Sequence, residues 1–376
     1  MSELALHEFH HGLHASFTVV NGMEAVAHYG DAGAEHAALR AGTGVFDLSF
    51  RGRLCLAGSD RQRFLNGQVT NNVKDLKPGQ GCYAALVTAK GKMQGDLNIY
   101  CLADELLLDF EPGLTTTIRE RLEHYVIADD VQIVDVSALY GLLSVQGPSA
   151  ATVVAKLGLG WSLPEKELHF ASVQDSTLGE IYCMRHHRVG MEGFDLFVPV
   201  ASLAAVADKL IAAAKESGGH ACGWQALETA RIEAGVARFG HDMDESNLAP
   251  EAGIEERAIS YSKGCYIGQE VIARIRTYGQ VAKSLRGLLL PEAMPELPAR
   301  GEKLFHAGKE VGVITSAISS PVLGRSVGMG YVRREHNTPG TEVSLRVRDQ
   351  EFTATVVALP FAASSFSSVS NPTTLS

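Results

Sequence analysis

The sequence predicts an α+β protein in which mixed sheets carry packed helices and a β-rich unit follows them. Two observations lead to this prediction. Units of one strand followed by one helix recur as far as about residue 284, and short alternating runs separated by glycine and proline fill the chain after it. We therefore divide the chain into an α/β region at 1–284, a β-rich domain at 285–360 and a disordered tail at 361–376.

The strand–helix units are recognised by a change in hydrophobic period. RLCLAG (53–58), YGLLSVQG (140–147) and FDLFVPV (194–200) are strand candidates, and a helix-forming stretch follows each of them. ELLLDF (105–110) and VQIVDV (131–136) have the composition of further strands. Because helices alternate with several strands, we expect mixed sheets with helices packed on them.

The stretch ASLAAVADKLIAAAKESGG has a clear helical pattern. Leu203, Val206, Leu210 and Ile211 share one face at helical spacing, and a glycine pair follows the last turn. We expect this apolar face to be buried.

The β-rich domain shows strand spacing throughout. Its short alternating runs are RGLLL, KLFHAGKEVGVITSAISS, SVGMGYVRRE, TEVSLRVRD and EFTATVVAL. Such runs, with glycine and proline between them, are typical of a small β-sandwich or β-barrel. We place the boundary of this domain near 284–290.

Charge and hydropathy exclude several classes of protein. The chain has 33 basic and 43 acidic residues and a formal net charge of −10. This balance argues against a general nucleic-acid binder, while a local basic pocket for an anionic ligand stays open. No apolar run approaches the ~18 residues of a transmembrane helix, and the N-terminus has no secretory signal pattern. We predict a cytoplasmic protein without nucleic-acid or membrane partners.

The six cysteines do not suggest a metal centre. None of them forms a C-x-x-C pair, whereas structural zinc and chain-held iron–sulfur clusters normally need at least one close pair. We predict no metal site. Cys55, Cys101 and Cys183 lie in alternating apolar segments, where cysteine is most often a small buried hydrophobe. Cys265 differs from them because its neighbours are glycine and polar residues.

The segment YSKGCYIGQEV, at 261–271, has the composition of a functional turn. Gly268 can cap a short helix that follows it, so Cys265 would lie just ahead of a helix N-terminus and two residues from Lys263. Both neighbours would stabilise a thiolate and make Cys265 reactive. The alternative is a tight turn whose cysteine packs inward, and the residues by themselves leave both interpretations open.

The same segment carries a family resemblance. Residues 263–270 match K-G-C-Y-x-G-Q-E, the signature of the YgfZ-type folate-binding proteins, a branch of the glycine-cleavage T-protein (aminomethyltransferase) superfamily. The resemblance extends from GVFDLSFRGRLCLAGSD to SAISSP…GMGYVRR, nearly the whole chain. It implies a three-domain cloverleaf with ferredoxin-like α/β pieces and a C-terminal β-barrel, and tetrahydrofolate bound in a central hole.

The resemblance also implies a set of folate-site residues. Asp96 in GKMQGDLNIY would lie near the reactive folate nitrogens, and Glu192 in VGMEGFDLFV would hold the pteridine ring. Arg231 in RIEAG and Tyr83 in YAAL would line the pocket. Without the family, the same residues would be interpreted as a turn aspartate, a hairpin-turn acid, part of a solvated helix face and a core tyrosine.

Three functional hypotheses follow from the resemblance. In the first, the protein binds tetrahydrofolate and serves iron–sulfur client proteins in cluster assembly or repair, using Cys265 activated by Lys263 and facing the folate cavity. In the second it is a folate-dependent aminomethyltransferase or demethylase that depends on Asp96. The chain has Phe110-Glu111 where T-proteins carry an asparagine, and this departure puts the transferase in doubt. The third is a degenerate relative whose folate pocket is filled by side chains such as Phe110.

Overall fold

The computed structural model describes residues 3–292 and 294–361. Within these ranges the chain forms a two-stranded hairpin, a five-stranded sheet, a six-stranded sheet and a closed six-stranded barrel. The predicted α+β class is confirmed. The predicted tail at 361–376 lies outside the described residues, except for Phe361, which is buried.

The strands of the described chain are these, in chain order: β1 (Ser16–Val20), β2 (Met23–His28), β3 (Gly44–Asp47), β4 (Gly52–Ala57), β5 (Gln80–Val87), β6 (Met93–Cys101), β7 (Leu106–Phe110), β8 (Gln132–Asp135), β9 (Tyr140–Gln146), β10 (Phe170–Asp175), β11 (Gly179–Arg185), β12 (Gly193–Pro199), β13 (His220–Ala221), β14 (Lys283–Leu289), β15 (Lys303–His306), β16 (Lys309–Ser320), β17 (Arg325–Arg333), β18 (Glu342–Val347) and β19 (Gln350–Val357).

The helices of the same residues follow: α1 (His7–Gly12), α2 (Ala32–Ala41), α3 (Arg61–Gln68), α4 (Thr115–Glu123), α5 (Ala150–Ala155), α6 (Val200–Glu216), α7 (Trp224–Glu233), α8 (Glu255–Ala258) and α9 (Gln269–Tyr278), with a 3₁₀ turn at Arg334–His336. In the described chain, no helix is both long enough and apolar enough to cross a membrane.

The five-stranded sheet has the order β5-β6-β7-β4-β8 and is antiparallel throughout. The predicted strands at 53–58, 105–110 and 131–136 are β4, β7 and β8. Side chains of β4 alternate between two cores, as the period of a strand requires. Leu54 and Leu56 pack in the core that includes residues of α3 and α4, whereas Cys55 packs in a core shared with the second sheet.

The six-stranded sheet has the order β10-β11-β12-β9-β3-β13, in which β3 and β13 are the parallel pair. The predicted face of α6, formed by Leu203, Val206, Leu210 and Ile211, is buried in a core with β9, β11 and β12. The predicted strand–helix units at 140 and 194 are therefore confirmed as β9 with α5 and β12 with α6.

The β-rich domain is a barrel, which decides between the two predicted architectures. β14 pairs with both β17 and β19, so the sheet closes on itself without a free edge. The barrel interior is filled by aliphatic side chains, including Leu288, Ile314 and Val356. A separate apolar cluster joins the barrel to α7 and α9 through residues such as Ile232, Ile272 and Met329.

Gly52 tests the packing of β4 against β7. A Cβ atom at this position would lie 2.2 Å from Cε2 of Phe110, whose side chain is fully buried. We expect Gly52→Ala to lower the free energy of unfolding by about 1–3 kcal/mol, because a close-packed ring cannot move aside freely. Urea unfolding measures this loss.

Gly67→Ala is the matched control for this prediction. Gly67 lies in α3, and no atom of the described residues lies within 4 Å of a Cβ at this position, so alanine there should leave stability unchanged or raise it by up to about 1 kcal/mol. Equal losses in the two variants would show that Phe110 does not confine position 52.

Candidate functional site

A cavity of about 310 Å³ lies between the two sheets and α7. Its lining residues all fall between 48 and 257, and none of the described barrel residues, which begin at Lys283, is among them. The titratable residues of the wall, apart from tyrosine and cysteine, are Arg51, Asp96, Glu111, Glu167, His186, Arg188, Glu228, Arg231, Arg238 and Arg257. The volume and the polar, charged wall suit a small, polar ligand.

Asp96 and Tyr83 face each other across β5 and β6. The Tyr83 hydroxyl donates to Oδ2 of Asp96 at 2.8 Å, and both side chains line the cavity. The other carboxylate oxygen, Oδ1, is buried and has no hydrogen-bond partner among the described residues. A buried oxygen without a partner is costly in a folded protein, so it is a position where a ligand donor can bind.

The environment of Asp96 favours its neutral form. Burial raises the pKa of this carboxyl to about 6, and the negative charge of Glu111 acts in the same direction, while the hydrogen bond from Tyr83 opposes them. A carboxyl group that titrates near 6 can hold or release a proton close to neutral pH. Perturbed carboxyl groups in a cavity are candidates for acid–base chemistry.

Two arginines and two aspartates connect the sheets beside Asp96. Arg51 donates to Asp109 at 2.7 Å, and Arg188 pairs with Asp109 at 3.0 Å and with Asp195 at 2.7 Å. Burial alone would raise the pKa of both aspartates, but the neighbouring cations outweigh it and lower the pKa of each. These carboxylates therefore stay ionised and hold the arginines in place.

Glu111 and Glu228 extend the ion-pair network along the wall. Glu111 pairs with Arg51 at 2.5 Å and with Arg238 at 3.5 Å. Glu228 pairs with Arg238 at 3.2 Å, and the guanidinium of Arg238 lies 4.9 Å from the ring centre of Trp224. Each of these arginines is thus balanced by a carboxylate before any ligand binds.

Arg231 lies in the cavity wall, but its donors are already in use. Nε and Nη2 both donate to Glu228 at 2.8 Å, and Nη1 donates to Asp242 at 2.5 Å and to the Val236 carbonyl at 3.0 Å. A contact to the Ser316 hydroxyl at 3.3 Å completes the five donors of the guanidinium. The structure thus places Arg231 in the cavity as the resemblance implies, without a spare N–H for a ligand.

Arg257 is the one arginine of the wall for which the described chain shows no ion pair. Its guanidinium lies 5.2 Å from the ring centre of Tyr83, and the side chain is exposed. Its backbone is held from within, because the Asn71 side chain donates to the carbonyls of Tyr83 and Arg257. An unpaired cation at the edge of the cavity can bind an anionic group.

Glu192 is not among the residues that line the cavity. It precedes β12, and its carboxylate accepts a hydrogen bond from Arg185 at 3.1 Å with about a third of its side chain exposed. His186 and Arg188, in the same connection between β11 and β12, do line the cavity. The structure therefore does not place Glu192 in the wall with the other residues predicted for the folate site, Tyr83, Asp96 and Arg231.

Lys263 was expected to stabilise a thiolate at Cys265, but its ammonium group contacts backbone carbonyls instead. Its ammonium is buried and donates to three backbone carbonyls, those of Asn66 at 2.5 Å, Val69 at 2.7 Å and Asn71 at 2.8 Å. Burial lowers the pKa of Lys263 to about 8, and the thiol that interacts with its charge is Cys82. Lys263 therefore holds the segment after α3 in place.

Cys265 is exposed and does not line the cavity. The expectation that it faces the same cavity as Asp96 is therefore wrong. Gly268 caps α9, which starts at Gln269, and lies in the left-handed region with φ 86°, so the predicted helix start is confirmed. The cysteine that does line the cavity is Cys82, and burial raises its pKa to about 12. Cys82 is thus a neutral thiol at neutral pH.

The cavity is not filled by Phe110. This side chain is fully buried in the core that contains residues of α3 and α4, against Gly52, and the next residue, Glu111, reaches the cavity instead. The hypothesis of a degenerate relative with a Phe110-filled pocket is therefore not supported.

Several residues of the cavity wall were not predicted from the sequence. Arg51, Arg188, Glu228, Arg238 and Arg257 were not identified as site residues, although each lines the cavity. One local signal was available, because Glu228 and Arg231 are three residues apart on a helix and such pairs meet on one face. The others are brought together by chain segments that are remote in sequence.

A potential metal-binding cluster lies outside this cavity. Glu3, His7 and Glu24 have ligand atoms within 4.8 Å of one another. His7 and Glu24 already form a hydrogen bond of 2.8 Å, which raises the pKa of His7. The cluster is therefore explained as an ion pair.

Family models cover nearly all of the chain. Residues 6–263 match the GCVT N-terminal domain, and residues 283–362 match the glycine cleavage T-protein C-terminal barrel domain. The second match coincides with the barrel strands β14 to β19.

Relatives of known name agree with these matches. A protein of Halothermothrix orenii named aminomethyltransferase is 30% identical over 366 residues, which cover 96% of this chain and 100% of the relative. A protein of Cupriavidus necator with the same name is 31% identical over 376 residues, covering 95% and 96%. The crystal structure of glycine cleavage system aminomethyltransferase T from Bartonella henselae matches with a TM-score of 0.87 at 25% identity, covering 96% of this chain and 98% of that one.

The raised pKa of Asp96 predicts a pH-dependent change in stability. The folded state binds a proton at this carboxyl more tightly than the unfolded state, so the stability that the protonated group contributes is lost as pH rises from about 4 through 6. We expect Asp96→Asn to be more stable than the wild type at pH 7, by on the order of 2 kcal/mol, with the gain vanishing near pH 4. Urea unfolding at both pH values measures it.

The exposed residue Asp208 supplies the control. Asp208→Asn should leave stability unchanged at both pH values. A gain for Asp96→Asn that is the same at pH 4 and pH 7 would mean that the charge of Asp96 is not the cause.

Proposed function

Because this chain belongs to the glycine cleavage T-protein family, we propose that it is a tetrahydrofolate-dependent aminomethyltransferase, which moves a one-carbon unit from an amine to the folate. The proposal rests mainly on the position of Asp96, whose carboxyl group has a raised pKa and lies in the wall of the cavity. Tyr83 bonds to one of its oxygens, and the other has no partner among the described residues.

The residues present fit tetrahydrofolate. The unpartnered Oδ1 of Asp96 can accept a hydrogen bond from a ligand N–H. Arg257, which has no carboxylate partner within the described residues, can bind a carboxylate of the glutamyl tail. When bound, tetrahydrofolate supplies the nucleophilic nitrogen that accepts the one-carbon unit.

Asp96 is suited to organise charge and protons at the reacting centre. As a carboxylate in a cavity partly withdrawn from water, it stabilises positive charge that develops on a nearby nitrogen more strongly than it would in water. Because burial raises its pKa to about 6, it can also take up a proton and release it again near neutral pH. Tyr83 fixes the orientation of the carboxylate by donating to Oδ2.

The ion-paired arginines have a supporting role. Arg51 and Arg188 are held by Asp109 and Asp195, so these side chains keep their positions before and during ligand binding. A wall that is already ordered does not lose further side-chain entropy when the ligand binds.

The hypothesis of iron–sulfur cluster assembly receives less support than the transferase. The relatives described above are named aminomethyltransferases, and none of their names refers to cluster assembly. The segment at 263–270 is still the ground for assigning the chain to the YgfZ-type branch, whereas the matching families support the wider T-protein family. Cys265 lies outside the cavity that contains Asp96.

Two substitutions separate the transferase from the cysteine-dependent hypothesis. We expect Asp96→Asn to lower the rate of one-carbon transfer to tetrahydrofolate by at least about 100-fold, since it removes both the charge and the proton acceptor. Cys265→Ala should leave the rate unchanged. The wild-type rate should rise with pH through about 6, as Asp96 ionises. The measurement is the amount of folate-bound one-carbon unit formed from an aminomethyl donor.

The reverse outcome would reject the proposal. A rate that falls with Cys265→Ala and persists in Asp96→Asn would favour the cysteine-dependent role. A demethylase would show the same dependence on Asp96, with an N-methyl amine replacing the aminomethyl donor.

Calorimetric titration with tetrahydrofolate under reducing conditions tests binding separately from turnover. We expect Arg257→Gln to weaken binding about tenfold, because a charge-assisted hydrogen bond to a ligand carboxylate is lost. Lys309→Gln, an exposed cation of the barrel, is the control and should bind as the wild type does. Unchanged affinity in Arg257→Gln would contradict the role proposed for this arginine.

The same titration decides the role that the resemblance implies for Glu192. Loss of binding in Glu192→Ala would mean that this carboxylate contacts the ligand. Unchanged binding would leave the ion pair with Arg185 as its role.

A further inference from the structure

Within the described part of the chain, the barrel contributes no residue to the wall of the cavity, yet Ser316 of the barrel bonds to Arg231 of that wall. The contact runs from β16 through Asp242 to Arg231. All of these groups are buried, and Asp242 is 2% exposed.

An irregularity in β16 makes this contact possible. In its pairing with β17, Ile314 lies opposite Gly330 and Ser316 lies opposite Met329, so Thr315 is an extra residue in the strand. Ile314 and Ala317 both pack in the barrel interior. Successive side chains of a regular strand point to opposite faces. Without the bulge, the hydroxyls of Thr315 and Ser316 would therefore lie on opposite faces of β16.

The bulge instead turns both hydroxyls toward the same carboxylate oxygen. Thr315 Oγ1 donates to Oδ1 of Asp242 at 2.7 Å, and Ser316 Oγ donates to it at 2.5 Å. The second oxygen, Oδ2, accepts from Arg231 Nη1 at 2.5 Å and from the Arg238 backbone N–H at 3.2 Å. Both oxygens of Asp242 are therefore occupied.

Every N–H group of the Arg231 guanidinium also has a hydrogen-bond acceptor. Besides Asp242, Arg231 bonds to the Val236 carbonyl, to Ser316 and twice to Glu228. Ser316 thus contacts both Asp242 and Arg231, and its removal disturbs the chain of bonds at two points. Through Arg231 this chain of bonds reaches Glu228, which lines the cavity and also pairs with Arg238.

We propose that the bulge at Thr315–Ser316 is a positioning device, through which the barrel fixes the Arg231–Glu228 pair in the wall of the cavity. Arg231 then acts by holding Glu228 in one geometry and by its charge, and it donates no hydrogen bond to the ligand. The ligand meets a wall that is already ordered, so it does not lose affinity to the ordering of that wall. The effect on folate affinity rests on the proposed function, while the effect on Arg231 itself does not.

Ser316→Ala, Ser316→Thr and Ser320→Ala in the full chain test the proposal. Ser320 is the matched control, since it is a buried serine of the same strand that donates at 2.5 Å to a buried carboxylate, Glu233, which does not line the cavity. Three quantities are measured: the Kd of tetrahydrofolate by calorimetry, the rate at which an arginine-specific dicarbonyl modifies Arg231, followed by peptide mass spectrometry, and the urea midpoint of unfolding.

We expect Ser316→Ala to weaken tetrahydrofolate binding about tenfold and to accelerate modification of Arg231 several-fold. Ser316→Thr keeps the hydroxyl and should restore both. Ser320→Ala should lower the urea midpoint to a similar extent while leaving the Kd and the modification rate unchanged. If Ser316→Ala does not fold, Thr315→Val replaces it, since it removes the other hydroxyl at similar volume. We expect the same weaker binding and faster modification of Arg231 in that variant.

Two results would overturn the proposal. One is an unchanged modification rate in Ser316→Ala or, if that variant does not fold, in Thr315→Val. The other is an equal change in Ser320→Ala, which would reduce the effect to general stability. If the wild type binds no tetrahydrofolate, the proposed function fails, and the modification rates still decide whether the bulge positions Arg231.

Discussion

The buried pairing of Asp109 with Arg51 and Arg188 is the interaction on which the cavity depends. Asp109 lies on β7 of the five-stranded sheet, and Arg188 lies in the connection between two strands of the other sheet. Asn98 also donates to Asp109, at 2.9 Å. Loss of one partner of a buried pair leaves an uncompensated charge and typically costs about 3–5 kcal/mol. The pairing therefore stabilises the contact of the two sheets at the place where the ligand would lie.

The carboxyl groups of Asp109 and Asp96 lie on adjacent strands, but this network gives them opposite pKa shifts. Asp109 has two arginines beside it, and they lower its pKa, whereas burial raises the pKa of Asp96 to about 6 with Glu111 adding to the effect. The cations of the wall are mostly committed to other carboxylates, so they do little to keep Asp96 ionised. One aspartate thus serves the structure, and the other is available for proton transfer.

The segment 261–271 shows the limit of interpreting a motif through its neighbours in sequence. Lys263 and Cys265 are two residues apart, but the lysine bonds to backbone carbonyls nearly 200 positions earlier, and the cysteine is exposed. The carbonyls at the end of α3 supply acceptors that stabilise a buried ammonium better than an exposed thiol would. The helix start after Gly268 was predicted correctly from the sequence, whereas the partners of Lys263 depended on tertiary packing.

Local periodicity was sufficient to predict the strand–helix units, the apolar face of α6 and the β-rich end of the chain, because each depends on the spacing of neighbouring residues. The family resemblance, which rests on short motifs, predicted one shared site for Asp96, Tyr83 and Arg231, and all three side chains line the same cavity. Closure of the barrel, the full commitment of Arg231 and the bulge that fixes it depended on pairings between distant segments. Tertiary structure alone decided these features, because the energy of a buried charge depends on which groups surround it in space, and one-dimensional spacing does not specify them.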